Sequence, residues 1–264
     1  MQEYVNRRFG AAILTVFMGS TLAWLLLGMP VSGINDADVF LVYARNLLAG
    51  HGLAGGAGGG PVEGFSSLLW LMLCAAVYVF SRAAEVPLFL LNLLFGIITV
   101  NLCLKRCNQK PAFLLLLCAA PAWFAWCQLA GVETGLWCLL LTATILAVSE
   151  RNRVQCTRLL PLLVLTRPEA MLWGCWLILV LYLGLGLDRG WRVGLRAVFR
   201  PLFAFGIVWA GLLVFRGLCF GTLLPGGFRS ARGLQFHPEA GMLYLLGWLF
   251  SNPAVLLAGL VFGW

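Results

Sequence analysis

Seven uncharged apolar runs punctuate this chain, at 9–29, 86–104, 111–130, 134–149, 170–187, 201–215 and 241–264. The longer of them reach across a hydrocarbon core of about 30 Å as helices. Two shorter runs, 65–80 and 159–166, are equally free of charge. No water-soluble core of 264 residues has room to bury so many runs, so bilayer is the solvent that fits them. Composition agrees: 61% of residues are hydrophobic, against about 45–50% in soluble domains. Only 11% are charged, where about 25% is usual. With a mean hydropathy of +0.93, a soluble globular domain and a disordered chain are both excluded. A disulfide-stapled secreted domain is excluded as well, since nothing resembles a small loop-rich ectodomain. The expected fold class is an all-α polytopic membrane protein.

The net charge of +8 does not point to nucleic acid. The basic residues are scattered through short connections between apolar runs, the pattern of the positive-inside rule. The nine cysteines form no Cys-x-x-Cys pair and lie mostly within apolar runs, where they read as small packing residues. Arg7 and Arg8 precede the first run, which is read as an uncleaved signal-anchor.

Whether the two short runs cross decides the topology. If 65–80 crosses and 159–166 does not, 7 basic residues fall inside and 11 outside, against the rule. If 65–80 lies at the outer interface and the chain crosses near 154–166, 12 fall inside and 6 outside. Every dense basic cluster is then cytoplasmic. The second arrangement is preferred, with a cytoplasmic N-terminus, outer loops at 30–64 and 216–240, and an inner-membrane location. Its thin point is the 154–166 crossing, which requires a broken helix or a water-filled cavity beside it.

This topology gathers Asp36, Asp38, Glu63, Glu133, Arg167, Arg229 and Arg232 on the outer face. Within the first outer loop, Asp36–Ala49 is predicted to form a short amphipathic helix, because Val39, Phe40, Tyr43 and Leu47 share one face at helical spacing. The glycine-rich stretch 55–60 lacks the spacing of a phosphate loop and reads as a flexible connection. Asp36 follows the first run and Glu133 opens the fourth, so capping a helix N-terminus accounts for either carboxylate. The sharper reading is convergence on one outer cavity, where such acids act as general base, bind sugar hydroxyls or hold a divalent cation. Arg167, in Leu165-Thr166-Arg167-Pro168-Glu169, is costly between apolar stretches unless it faces a cavity or a partner. It reads as an ion pair with Glu169, as an arginine snorkelling to the interface, or as a bidentate clamp on a phosphate or carboxylate. His51 and His237 have no second ligand at metal spacing, and Ser66-Ser67 lack a nucleophile-elbow context.

Taken together, these blocks resemble a known group. Asn35-Asp36-Ala37-Asp38-Val39-Phe40-Leu41-Val42-Tyr43-Ala44-Arg45-Asn46-Leu47 resembles the "DDA(F/Y)I…RYARNL" signature of GT-C fold, polyprenyl-phosphate-sugar-dependent glycosyltransferases, nearest to a bacterial arabinofuranosyltransferase-like branch. Gly50-His51-Gly52-Leu53 resembles "GHGL", and Val62-Glu63-Gly64-Phe65-Ser66-Ser67-Leu68-Leu69-Trp70 resembles "VEGYTSPLW". Gly131-Val132-Glu133-Thr134-Gly135-Leu136-Trp137 is similar to "GLETPLF", the Arg167 block to "LTRPD/E", and Phe220-Gly221-Thr222-Leu223-Leu224-Pro225 to "YFGDLLPN". The blocks keep the group's order over roughly residues 35–230.

The resemblance implies a GT-C-like helical bundle with a short amphipathic helix and an interfacial helix in the first outer loop. The whole of 1–264 would be one transmembrane domain, the N-terminal part of a GT-C module. It also implies an extracytoplasmic sugar transfer, of a pentose such as arabinofuranose or of a hexose. The donor would be a polyprenyl-phosphate sugar and the acceptor a glycan, lipid or protein. On that analogy Asp36 is the general base and Glu133 orients the acceptor or a metal ion. Arg167 and Arg229 stabilise the departing lipid phosphate. Asn35, Tyr43, Arg45, His51 and Glu63 would contact substrate. No cofactor is implied with certainty, a divalent cation at Asp36 and Glu133 being the one candidate. The chain departs from the signature at Asn35 in place of an Asp, at Asp38 in place of an aromatic and at Val42 in place of Arg. A transporter or flippase for lipid-linked substrates, or a catalytically inactive scaffold, are the alternative readings.

Overall fold

The computed structural model describes residues 35–56, 60–106 and 131–223, together with Gly10, Ala11, Ile13, Leu14, Val16 and Met242; the side chains of Asn35 and Asp36 fall outside this set. Among the described residues all regular structure is helical. Three helices are long and apolar enough to cross a membrane. The run expected to span at 111–130, and most of those at 9–29 and 241–264, lie outside the described residues, as does the loop beyond residue 223.

α1, Asn35–Leu48, takes the amphipathic form expected of it. Phe40, Tyr43 and Ala44 are buried, with Val39 and Leu47 packed beside them. Gly50 and Gly52 adopt φ of 80° and 72°, a conformation glycine reaches without steric cost. They turn the chain so that the His51 amide donates to Asn46 O at 2.9 Å. α2, Leu68–Phe80, begins at Ser67, whose hydroxyl oxygen accepts from the Trp70 amide at 3.1 Å. Such a cap is worth about 1 kcal/mol. α3, Glu85–Arg106, has an acid in its first turn and Lys105 and Arg106 in its last, the charge order that a helix dipole favours. Val100 and Leu104 on α3 pack against Val16.

α4, Thr134–Ser149, and α5, Arg153–Val164, are joined by a tight turn. In that turn Arg151 holds a φ of 54°, and the Asn152 side chain caps α5 by accepting from the Gln155 amide at 3.1 Å. α6, Ala170–Arg189, and α7, Trp191–Phe220, meet at Gly190 alone, at φ 91°. Their backbones run very close: a Cβ on Gly194 would lie 3.0 Å from Tyr182 O and 3.1 Å from Gly186 N. Small residues at helix contacts are how membrane helices gain packing energy, because lipid supplies no hydrophobic drive between them.

α3, α6 and α7 are the three helices of spanning length. α2, α4 and α5, at 13, 16 and 12 residues, rise only about 20, 24 and 18 Å at 1.5 Å per residue. α7 also extends further than the 201–215 run predicts. It continues through Arg216 to Phe220 and stops at Gly221, φ 68°, so the connection expected at 216–240 starts five residues later. Gly217, Leu218, Cys219 and Phe220 add one further turn past the arginine.

The bundle has two chemically distinct ends. The α4–α5 hairpin brings Arg167 back to Glu133, 3.4 Å away. α7 delivers Arg216 to Glu63 at the same end. Trp70, at the start of α2, donates its indole N–H to Gly131 O at 3.2 Å, and Asn92, in the second turn of α3, donates to Val132 O at 3.0 Å. Both ends of the 68–92 segment are therefore anchored beside Gly131 and Val132. At the opposite end Arg151 pairs with Asp188, amid Arg153, Arg158, Arg189, Arg192, Arg196 and Arg200.

Candidate functional site

The acid-bearing end is assembled from sequence blocks that lie far apart along the chain. Ser66 donates its hydroxyl to Glu133 Oε1 at 2.8 Å. The Leu69 amide donates to Leu165 O at 2.9 Å, clamping the start of α2 to the residue before Thr166-Arg167. Phe65 packs edge-on against Tyr43 at 5.3 Å and against Phe220 at 6.1 Å between ring centroids. Gly131, at φ 68°, lies where a Cβ would touch Ala37 Cβ at 3.7 Å, so the first turn of α1 adjoins the turn before Glu133. The 35–47, 62–70, 131–137, 165–169 and 220 blocks thus meet at one end of the bundle.

Glu133 is the centre of this meeting. It is 4% exposed and sits immediately before α4, where the helix dipole favours a negative charge, but its side chain makes no capping bond. Instead the carboxylate accepts the hydrogen bond from the Ser66 hydroxyl and faces Arg167. A buried carboxylate needs such partners, since an unpaired charge away from water costs several kcal/mol. Arg167 Nε is 3.4 Å from Glu133 Oε1 and 3.8 Å from Glu169 Oε2. Both distances are ion-pair contacts, and neither meets the geometry of a hydrogen bond, which leaves Nε buried and without one. Since the side chain is 36% exposed while Nε is buried, its accessible area lies elsewhere on the side chain. Asn92, fully buried, likewise keeps Oδ1 unpaired while its amide nitrogen holds Val132 O. Among the described residues no three His, Cys, Asp or Glu side chains form a group that could hold a metal ion; the candidate cation pair Asp36 and Glu133 includes a side chain outside those residues.

Glu63 lies deeper. Its carboxylate accepts from Arg216 Nε at 2.8 Å, with the two side chains 3% and 9% exposed. Tyr43 is also buried. Its hydroxyl donates to Val62 O at 2.6 Å, and burial, reinforced by the Glu63 charge, pushes the phenol above its ordinary value of 10.0. Gly64 makes this possible, because a Cβ there would come within 2.8 Å of the Tyr43 hydroxyl. Two residues named for substrate contact are therefore engaged in holding the 62–66 segment. Arg45 and His51 are exposed on the last turn of α1 and just beyond it. Asn35 and Asp36 open α1, with their side chains outside the described residues, and Arg229 lies outside them altogether.

Sequence reasoning passed over three participants. Ser66 was considered only as a nucleophile, a role that needs a neighbouring base, whereas here it orients an acid. Arg216 enters the sequence reading only through the count of basic residues, although a lone arginine closing an apolar run signals a buried partner. Asn92, a single amide within the 86–104 run, carries the same signal. Comparisons with protein-family models, with curated proteins and with solved structures find no match to this chain.

Proposed function

We propose that the chain is a membrane glycosyltransferase that moves a sugar from a polyprenyl-phosphate donor to a glycan, lipid or protein acceptor at the acid-bearing end of the bundle. That end would face the exterior of the cytoplasmic membrane, as the excess of basic residues at the other end favours. One observation carries the reading: the blocks singled out by resemblance, scattered from 35 to 220, converge around Glu133 and Arg167, joined by the Ser66–Glu133 bond at 2.8 Å and the Leu69–Leu165 bond at 2.9 Å.

In this reading the Asp36 carboxylate takes the proton of the acceptor hydroxyl. The resulting oxygen attacks the anomeric carbon, the bond from that carbon to the phosphate oxygen breaks, and the lipid phosphate leaves with the electron pair. Arg167 meets the charge growing on that phosphate, joined by Arg229. Glu133 and Glu169 hold the Nε side of the Arg167 guanidinium, leaving its outer donors for a bidentate grip. Glu133, oriented by Ser66, is a positioning group. A divalent cation is not needed by any of these steps.

The test is a transfer assay with the purified full chain in liposomes, following release of polyprenyl phosphate from a radiolabelled lipid-phosphate sugar. Asp36→Asn is expected to abolish turnover without loss of expression. Arg167→Gln is expected to lower kcat by about 10²–10³, the usual scale for removing one donor to a developing anion. Normal turnover by Asp36→Asn removes the assigned base. Donor bound but never cleaved by the wild type, across pentose and hexose donors, points to the inactive scaffold, and donor carried across the bilayer uncleaved points to the flippase.

A further inference from the structure

At the end opposite Glu133, a cavity of about 490 Å³ opens between α5 and α7, lined by Arg153, Thr157 and Arg158 from one helix and Arg196, Ala197 and Arg200 from the other. The spacing explains the convergence: Arg153 and Thr157, like Arg196 and Arg200, stand four residues apart and so share a helix face. Each helix also carries a proline, Pro161 and Pro201. Lacking an N–H, these cannot bond the carbonyls four residues earlier, which belong to Thr157 and Ala197, both in the cavity wall. The opening thus occurs where both helices lose a backbone bond.

Four guanidinium groups in one cavity repel each other unless something anionic lies between them. Among the described residues none of the four is in an ion pair and no acid lines the cavity. Thr157 donates its own proton to Arg153 O at 2.8 Å, so the donors left for a ligand are the guanidiniums, whose planar forks match phosphate oxygens. An apolar flank continues from these arginines along α7. Leu195, Phe199 and Phe203 are 60% or more exposed, and the rings of Phe199 and Phe203 stack at 6.0 Å and 12°.

We propose that the α5–α7 cavity binds the phosphate of an anionic phospholipid from the surrounding bilayer, with the acyl chains lying along the exposed phenylalanines of α7. A basic pocket between helices is a recognised way to hold such headgroups, and a soluble anion gains nothing from the apolar flank. The site is independent of the sugar-transfer reading, because it shares no residue with it.

The experiment is native mass spectrometry of the purified full chain in neutral detergent, offered equimolar dioleoylphosphatidylglycerol and dioleoylphosphatidylcholine. The wild type is expected to retain the anionic lipid preferentially, saturating at one site. Each arginine near a headgroup is worth about fivefold in affinity, so Arg158→Gln with Arg200→Gln is expected to weaken retention about thirtyfold. The pair Arg158→Lys and Arg200→Lys keeps the charge, loses the fork, and is expected to fall about fivefold. Arg189→Gln with Arg192→Gln, removing equal charge outside the cavity, is expected to leave retention within about twofold. Equal losses from the two glutamine pairs overturn the proposal in favour of diffuse surface charge. Unchanged retention in the Arg158/Arg200 pair overturns it outright. Displacement of the lipid by millimolar inorganic phosphate reassigns the cavity to a soluble anion and also overturns it.

Discussion

At the scale of single residues, the tightest dependence in the site loop is between a phenol and a missing side chain. Tyr43 reaches Val62 O at 2.6 Å only because Gly64 presents no Cβ, which would stand 2.8 Å from the phenolic oxygen. Gly64→Ala is therefore expected to push the hydroxyl off its acceptor, at a cost of about 1–2 kcal/mol for the lost buried bond. In a Tyr43→Phe background the same alanine is expected to be nearly neutral, so a double-mutant cycle on the melting midpoint gives a coupling of about 1 kcal/mol or more. Additive losses sink the account. The phenol also predicts a pH response. Its value lies above 10.0 in the folded chain because of burial, which outweighs the lowering by the Gly64 backbone hydrogen bond, with the Glu63 charge adding a smaller upward push. The unfolded chain thus releases this proton at lower pH than the folded one. The stabilisation it lends is complete below pH 10 and is lost as pH rises through the folded value. Tyr43→Phe should flatten that part of the decline, and a decline of unchanged steepness assigns it to other groups.

Among the elements, legibility followed periodicity and failed where partners are distant. The stripe of Val39, Phe40, Tyr43 and Leu47 was enough to place α1, since burial of one helix face is a local rule. The charge-free runs likewise gave α3, α4 and α6 to within two residues at either end. Where the charge count called for a crossing near 154–166, α5 is one continuous helix of 12 residues with Pro161 inside it, and it is not among the three of spanning length. What no local pattern carries is the partner of a lone polar residue. Glu63 and Arg216 are 153 positions apart, and Ser66 meets Glu133 across 67. Glycines in α6 and α7 were similarly silent, because their role is the proximity of another helix. Gly194 faces backbone atoms of α6 that cannot step aside as a side chain would. Gly194→Leu is thus expected to separate α6 from α7 and cost about 1–3 kcal/mol as overpacking, whereas leucine at Gly211, which has open space at its Cβ position, should shift the melting midpoint little. Equal shifts at the two positions would remove close approach as the reason for glycine at 194.

For the molecule as a whole, the Glu63–Arg216 pair is what fastens the loop ahead of α2 to the end of α7. Around it, Phe65 touches both Tyr43 and Phe220, so the pair and three rings hold these blocks in one arrangement. Two charges at 2.8 Å, each at least nine-tenths out of solvent, gain strongly from each other but lose hydration, and replacement of both by apolar groups is often neutral. Removal of Arg216 takes from the buried Glu63 carboxylate its partner at 2.8 Å, at about 3–5 kcal/mol for breaking a buried pair. Arg216→Met is accordingly expected to lower the melting midpoint by roughly 10 °C for a chain of this size. Adding Glu63→Leu should recover a substantial part of that loss. The recovered double variant then separates stability from positioning. If the pair exists to hold Ser66 against Glu133, lipid-phosphate sugar transfer stays depressed although the midpoint returns. Full recovery of both reduces the pair to a structural tie, and no recovery of the midpoint means that Glu63 holds the loop through other contacts than Arg216.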